Sequence, residues 1–135
     1  MTDVFVGLGS NLGDRWKNLT KAIKKINAIE DTKIVKKSSF LKTKPHQAPG
    51  PDYLNGVVKI TTNLNPEKLL DKLKEIEERL GRKQAFKNAP RIIDLDILLY
   101  GKQKIKTNKL TIPHPGIKTR NFLKKLLLEI EPNLK

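Results

Sequence analysis

Residues 53–81 read YLNGVVKITTNLNPEKLLDKLKEIEERLG, and the change of period inside them decides the fold. The stretch YLNGVVKITT is rich in β-branched residues and predicts a strand. After it the apolar positions fall at Leu69, Leu73, Ile76 and Leu80, the three-to-four spacing of one helix face. Asn65 is placed to cap that helix, Pro66 takes its first position and Gly81 ends it. A strand that runs straight into an amphipathic helix is half of a two-layer unit, and the chain carries a second copy of the pattern.

That second copy lies upstream. DVFVGL alternates over about 3–8 and stops at Gly9. GDRWKNLTKAIKKINAI then sets Trp16, Leu19, Ile23 and Ile26 at helical spacing behind a capping Asp14, with Trp16 read as core. Residues 33–42, KIVKKSSFLK, predict a further strand, and TKPHQAPGPD is a proline-rich loop. Beyond the central helix come a basic loop, RKQAFKNAP, a last long strand, RIIDLDILLY, a loop, TIPHPGIKT, and a short helix, RNFLKKLLLEI. The order is β-α-β-β-α-β with a C-terminal extension. It predicts an α+β protein with a ferredoxin-like antiparallel sheet and helices packed on one face. At 135 residues, 1–135 reads as one domain. That fold hosts many functions and decides none.

Composition narrows the classes. No cysteine is present, which removes disulfides and thiolate metal sites. The start, MTDVFVGLGS, lacks the features of a secretion signal, and no apolar run reaches the roughly 18 residues of a membrane span, so a cytoplasmic protein is expected. The net charge of +14 favours anionic partners, although 23 of the 28 cations are lysine and a lysine-rich proteome would give the same total. The distribution is more specific. From Arg79 to Leu128 there are 13 Lys or Arg, and the only acids are Asp94 and Asp96.

Those two aspartates sit inside an otherwise apolar strand, where a carboxylate is costly unless something pairs with it. Side chains alternate along a strand, so Asp94 and Asp96 share one face and Leu95 takes the other, with Cα atoms about 6.5–7 Å apart. Two carboxylates at that spacing suit magnesium, which takes one or two carboxylates plus phosphate oxygens and water. Nearby cations agree with phosphate binding: Arg82, Lys83, Lys87 and Arg91 before the pair, His114 and Arg120 after it. Tyr53 and Asn55 in PDYLNG could stack on a flat ring and read its heteroatoms. GLGSNLGDR has the spacing G-x-G-x-x-x-G, one residue off the dinucleotide fingerprint, and reads as a tight turn that brings backbone close to a ligand.

Taken together, GSNLGDR, PDYLNGVV, KNAPRIIDLDILLYG and IPHPGIKTRNF resemble the signatures of the 6-hydroxymethyl-7,8-dihydropterin pyrophosphokinase family, and the likeness runs from Val4 to about Pro132. The resemblance implies transfer of diphosphate from ATP to the pterin hydroxymethyl group, with release of AMP, in folate biosynthesis. It implies that Arg82, Arg91, Asp94 and Asp96 are catalytic, with Asp94 and Asp96 holding two Mg2+ ions. Lys74, Glu77, Lys87, Ile97, Lys109, Thr111, His114 and Arg120 would serve the nucleotide. Gly9, Thr43, Lys44, Pro45, Tyr53, Asn55 and Phe122 would serve the pterin. A monomer without nucleic-acid or membrane partners is the implied state. The family places a Trp shortly before the Pro-Arg pair, where this chain has Asn88 with Phe86 close by, and a Tyr after the His, where this chain has Pro115. Two other readings remain: an RNA-binding ferredoxin-like module, against which an aromatic content of 5% speaks, and a non-catalytic nucleotide- or pterin-binding homologue.

Overall fold

The computed structural model describes residues 1–45, 50–81 and 91–134. Strand β1 (Thr2–Ser10) leads into helix α1 (Arg15–Asn27), strands β2 (Thr32–Lys37), β3 (Leu41–Thr43) and β4 (Tyr53–Thr62), then helix α2 (Pro66–Arg79) and strand β5 (Asp94–Tyr100). A small hairpin of β6 (Ile105–Lys106) and β7 (Thr111–Ile112), a single turn α3 (Gly116–Thr119) and helix α4 (Asn121–Ile130) complete it. The main sheet runs β2-β4-β1-β5, with β3 also paired to β4, and every pairing is antiparallel.

Both capping expectations hold. The Asp14 side chain accepts from the Lys17 N–H at 3.0 Å, and that of Asn65 from the Lys68 N–H at 2.8 Å. Gly81 follows α2 with a φ of +98°, a left-handed turn that suits glycine.

Alternation along the strands gives the sheet two different faces. Val4, Val6 and Leu8 of β1, Val58 and Ile60 of β4, and Leu95 and Ile97 of β5 pack with Leu19, Ala22 and Ile26 of α1 and Leu69, Leu73 and Ile76 of α2. On the opposite face Phe5, Val57 and Leu98 pack under Leu123, Leu126, Leu127 and Ile130 of α4. The expectation of helices on one face is therefore met by α1 and α2 only. The apolar stripe of α4 covers one end of the other face and leaves the remaining end open.

Three further expectations change. Residues 33–42 form two strands, because Ser38 breaks the ladder. Its N–H donates to Val57 O at 2.8 Å, its hydroxyl accepts from the Val57 N–H at 2.9 Å, and Ser39 turns away to donate to Glu129. Trp16 is 63% exposed and not core, since the buried stripe of α1 is Leu19, Ala22 and Ile26. Its ring meets Phe40 edge to face, with centroids 4.7 Å apart. Strand β5 starts at Asp94 instead of Arg91, because the Arg91 N–H is taken by the side chain of Asn11. The basic loop expected at 82–90 lies outside the described residues.

Candidate active site

The open end of the α4 face is a cavity of about 390 Å3. Its floor is β1, where Gly9 stands between Asn55 of β4 and Asp94 of β5, and Gly7 between Val57 and Asp96. Gly9 keeps this strip close-fitting: an added Cβ would lie 3.1 Å from Asn55 Oδ1 and 3.3 Å from Tyr53 Cδ1, a tight contact that would push both side chains aside. The two glycines thus leave a groove, and the flanking strands raise their side chains on either side of it.

One wall carries aromatic, amide and hydroxyl groups and the cation Lys44. Tyr53, Asn55, Thr43, Lys44 and Pro45 line it, and Phe122 faces the cavity from the start of α4. Asn55 is only 7% exposed, and its Nδ2 donates to Thr43 Oγ1 at 2.6 Å and to Leu41 O at 3.4 Å. With both amide hydrogens committed to β3, Oδ1 is left as the acceptor beside Gly9. Such a wall can stack on a planar heterocycle and hydrogen-bond its edge.

The other wall is ionic. Asp94 and Asp96 both line the cavity, while Leu95 between them is buried in the core. Arg91 Nη1 lies 3.5 Å from Asp94 Oδ1, and His114 Nε2 lies 3.9 Å from Asp96 Oδ1. His114 is fixed from behind: its Nδ1 accepts the Gly116 N–H at 2.9 Å, so in the neutral ring the proton sits on Nε2, toward Asp96. Gly116 permits this, since a Cβ there would lie 2.9 Å from His114 Nδ1. Burial, and then the nearby Arg120 guanidinium, hold the imidazole below its ordinary value of 6.5, against a smaller upward pull from Asp94. Arg120 and Thr119 close this end.

Among the described residues no group of three or more His, Cys, Asp and Glu could hold a metal ion by itself. Two carboxylates on one face of a rigid strand nevertheless fit a hard cation that draws its other oxygens from phosphate and water.

The cavity gathers Gly9, Thr43, Lys44, Pro45, Tyr53, Asn55 and Phe122 with Arg91, Asp94, Asp96 and Arg120, and His114 adjoins it. Five other expected residues lie elsewhere. Lys74 is on the exposed side of α2, and Thr111 is half-buried in β7. Lys109 lines a second cavity of about 680 Å3 between the start of α2 and the β6–β7 hairpin. The Ile97 side chain is in the core, so only its backbone, on the outermost strand, can meet a ligand. Glu77 is buried beneath β5, where its Oε2 accepts the Leu95 N–H at 2.8 Å. It braces the strand between the two aspartates from the far face. Arg82 and Lys87 lie outside the described residues.

Asn11 also lines the cavity and was not singled out from sequence. The signal available was its place immediately after the strand, in a turn already read as bringing backbone close to a ligand.

Residues 5–132 match the family described as 7,8-dihydro-6-hydroxymethylpterin-pyrophosphokinase. A 2-amino-4-hydroxy-6-hydroxymethyldihydropteridine pyrophosphokinase of Aquifex aeolicus is 45% identical over 136 residues, which covers 99% of this chain and 83% of that one. The enzyme of the same name from Haemophilus influenzae is 43% identical over 135 residues, covering 99% and 84%. Among solved structures, an HPPK-DHPS in complex with substrates superposes with a TM-score of 0.73 at 15% identity, over 99% of this chain and 41% of that one, a likeness of fold alone. With the match running almost from end to end, and relatives above two-fifths identical across nearly the whole chain, this protein belongs to the 7,8-dihydro-6-hydroxymethylpterin-pyrophosphokinase family.

Proposed function

We propose that this protein transfers diphosphate from ATP to the hydroxymethyl group of 6-hydroxymethyl-7,8-dihydropterin, giving the pterin diphosphate and AMP in folate biosynthesis. The observation that carries the reading is the two-walled cavity, with an aromatic and amide wall facing a pair of carboxylates across a glycine floor.

The pterin would lie against the first wall, its ring between Tyr53 and Phe122 and its edge read by Asn55, Thr43 and the backbone of Gly9 and Pro45, with Lys44 at the rim. That pose points the hydroxymethyl group toward β5. Its oxygen attacks the β-phosphorus of ATP, the bond from that phosphorus to the oxygen bridging the α-phosphate breaks, and AMP departs with the bridging oxygen. The hydroxyl proton leaves to solvent, and no side chain of the chain is assigned as its base. Little covalent chemistry is asked of the protein, so in-line alignment and charge neutralisation do most of the work.

Asp94 and Asp96 would hold two magnesium ions, which when bound supply charge neutralisation along the triphosphate. Arg91 and Arg120 would grip phosphate oxygens, with Arg82 and Lys87 from the segment before β5. The neutral His114 can donate from Nε2. The nucleoside would cross the outer strand toward α2 and the β6–β7 hairpin, past the Ile97 backbone to Lys74, Lys109 and Thr111, with Glu77 holding β5 in place beneath it.

The strand order, with α1 and α2 on one face, is read as a ferredoxin-like split βαβ arrangement to which β3, the small hairpin and α4 are added. No helix of the described residues is long and apolar enough to cross a membrane. A cytoplasmic monomer is the proposed state. An RNA-binding role is not favoured, because Asp94 and Asp96 on the open sheet face would repel a phosphodiester backbone, and an aromatic content of 5% leaves few stacking platforms.

Asp94→Ala and Asp96→Ala test the reading. Each is expected to lower pterin-dependent AMP release by at least about a hundredfold while the circular dichroism spectrum stays native. Full activity in both would remove the metal-holding roles.

A further inference from the structure

Asn11 is the first residue beyond β1 and is 3% exposed. Its carboxamide works in two directions. Oδ1 accepts the Arg91 N–H at 2.7 Å, and Nδ2 donates to Pro51 O at 3.3 Å. Its own backbone N–H donates to Arg91 O at 3.0 Å. Asn11 and Arg91 thus exchange two hydrogen bonds as facing residues of an antiparallel ladder do, but with a side chain in place of one carbonyl. Four residues on, Arg15 Nη1 donates to Asp52 O at 2.6 Å, so the same turn grips the segment before β4 twice.

Few side chains can do this. Aspartate accepts but does not donate, serine is too short to reach both partners, and glutamine is a methylene too long. The clasp fixes the backbone of Arg91 before β5 begins. From there the Arg91 guanidinium reaches 3.5 Å from Asp94.

We infer that Asn11 is a positioning residue for the reaction: it holds Arg91 beside Asp94 by clasping the Arg91 backbone and tying it to the Pro51 segment across the mouth of the cavity. The inference rests on the diphosphate-transfer reading. It goes further in assigning the alignment of Arg91 to a side chain that itself need not touch either substrate. Displacement of a catalytic group by about an ångström costs on the order of a hundredfold in rate, and loss of a group that orients one costs about 10- to 100-fold.

The test is a double-mutant cycle of Asn11→Ala and Arg91→Ala, read by steady-state kinetics, with hydrogen exchange at the Arg91 amide measured alongside. Asn11→Ala is expected to lower kcat about 10- to 100-fold with KM for both substrates within about threefold. On the Arg91→Ala background the same change is expected to alter kcat by less than about twofold, since Asn11 would act through a side chain already gone. Exchange of the Arg91 amide is expected to quicken at least about tenfold in Asn11→Ala. A full, additive loss on the Arg91→Ala background overturns the inference, as does a kcat near wild type in the single variant. If Asn11→Ala does not fold, Asn11→Ser enters the same cycle with the same deciding outcomes. A wild-type protein that releases no AMP would sink the diphosphate-transfer reading. Arg91 amide exchange still decides whether Asn11 holds that residue, and unchanged exchange overturns it.

Discussion

His114 shows how one side chain can be set by the groups behind it. Its Nδ1 is committed to the Gly116 N–H, and its Nε2 faces Asp96. Burial and Arg120 favour the neutral ring, so the free protein is expected to show a His114 midpoint below 6.5 when its ring carbon proton is followed by NMR. A midpoint at or above 7 would contradict this. The sign for stability follows from the same shift. Between the folded value and 6.5 the unfolded chain binds more protons at this site, so the contribution is fully present above pH 6.5 and is lost as pH falls through the folded value. A His114→Gln variant should lose that part of the acid dependence. The sequence made Asp94 and Asp96 legible because strand alternation alone puts them on one face. It also showed His114 and Arg120 near phosphate chemistry, but not that Glu77 would be a buried brace. A charged residue on an amphipathic helix reads as solvent-facing until the strand whose N–H it caps is known to lie beneath it.

At the scale of elements, α4 both closes the second core and supplies the far wall of the cavity. Leu126 is 1% exposed at its centre, and Phe122 and Arg120 project from its first turn and the residue before it. Leu126→Ala is expected to cost about 2–5 kcal/mol of stability. It should also weaken pterin binding severalfold, through loss of the anchor for Phe122. Calorimetric melting and equilibrium titration with the pterin check the two effects, and unchanged melting would mean that α4 is not held by this stripe. Although α4 was read only as a short helix, the amphipathic stripe of α2 was readable from spacing, as was that of α1 apart from Trp16. The face each covers was not, because a sheet offers its two faces equally until both helical connections have been placed. The split between β2 and β3 was hidden for a different reason. Ser38 replaces a ladder rung with its hydroxyl, and no proline or glycine marks the spot.

For the molecule as a whole, the excess of cations has a kinetic consequence. A net charge of +14, with Asp94 and Asp96 the only acids between Arg79 and Leu128, makes a field that draws in a polyanionic nucleotide. Salt screens such a field over about 10 Å at 0.1 M. The apparent KM for ATP is therefore expected to rise severalfold between about 50 and 300 mM salt while kcat changes little. A flat response would assign the charge to solubility instead. The order of the main strands and helices was legible because the period switches are clean, whereas the separate β3, the β6–β7 hairpin and the turn α3 were not read. What remained unreadable was the packing of loop against loop around the cavity mouth, where Asn11, Pro51 and Arg91 meet through hydrogen bonds that no periodicity announces. In the proposed reaction the β- and γ-phosphates move together to the pterin. Phosphorus NMR of the purified protein with magnesium, ATP and 6-hydroxymethyl-7,8-dihydropterin tests it directly. Equimolar AMP and a pterin diphosphate ester are expected, whereas ADP as the nucleotide product, or no pterin-dependent consumption of ATP, would contradict diphosphate transfer.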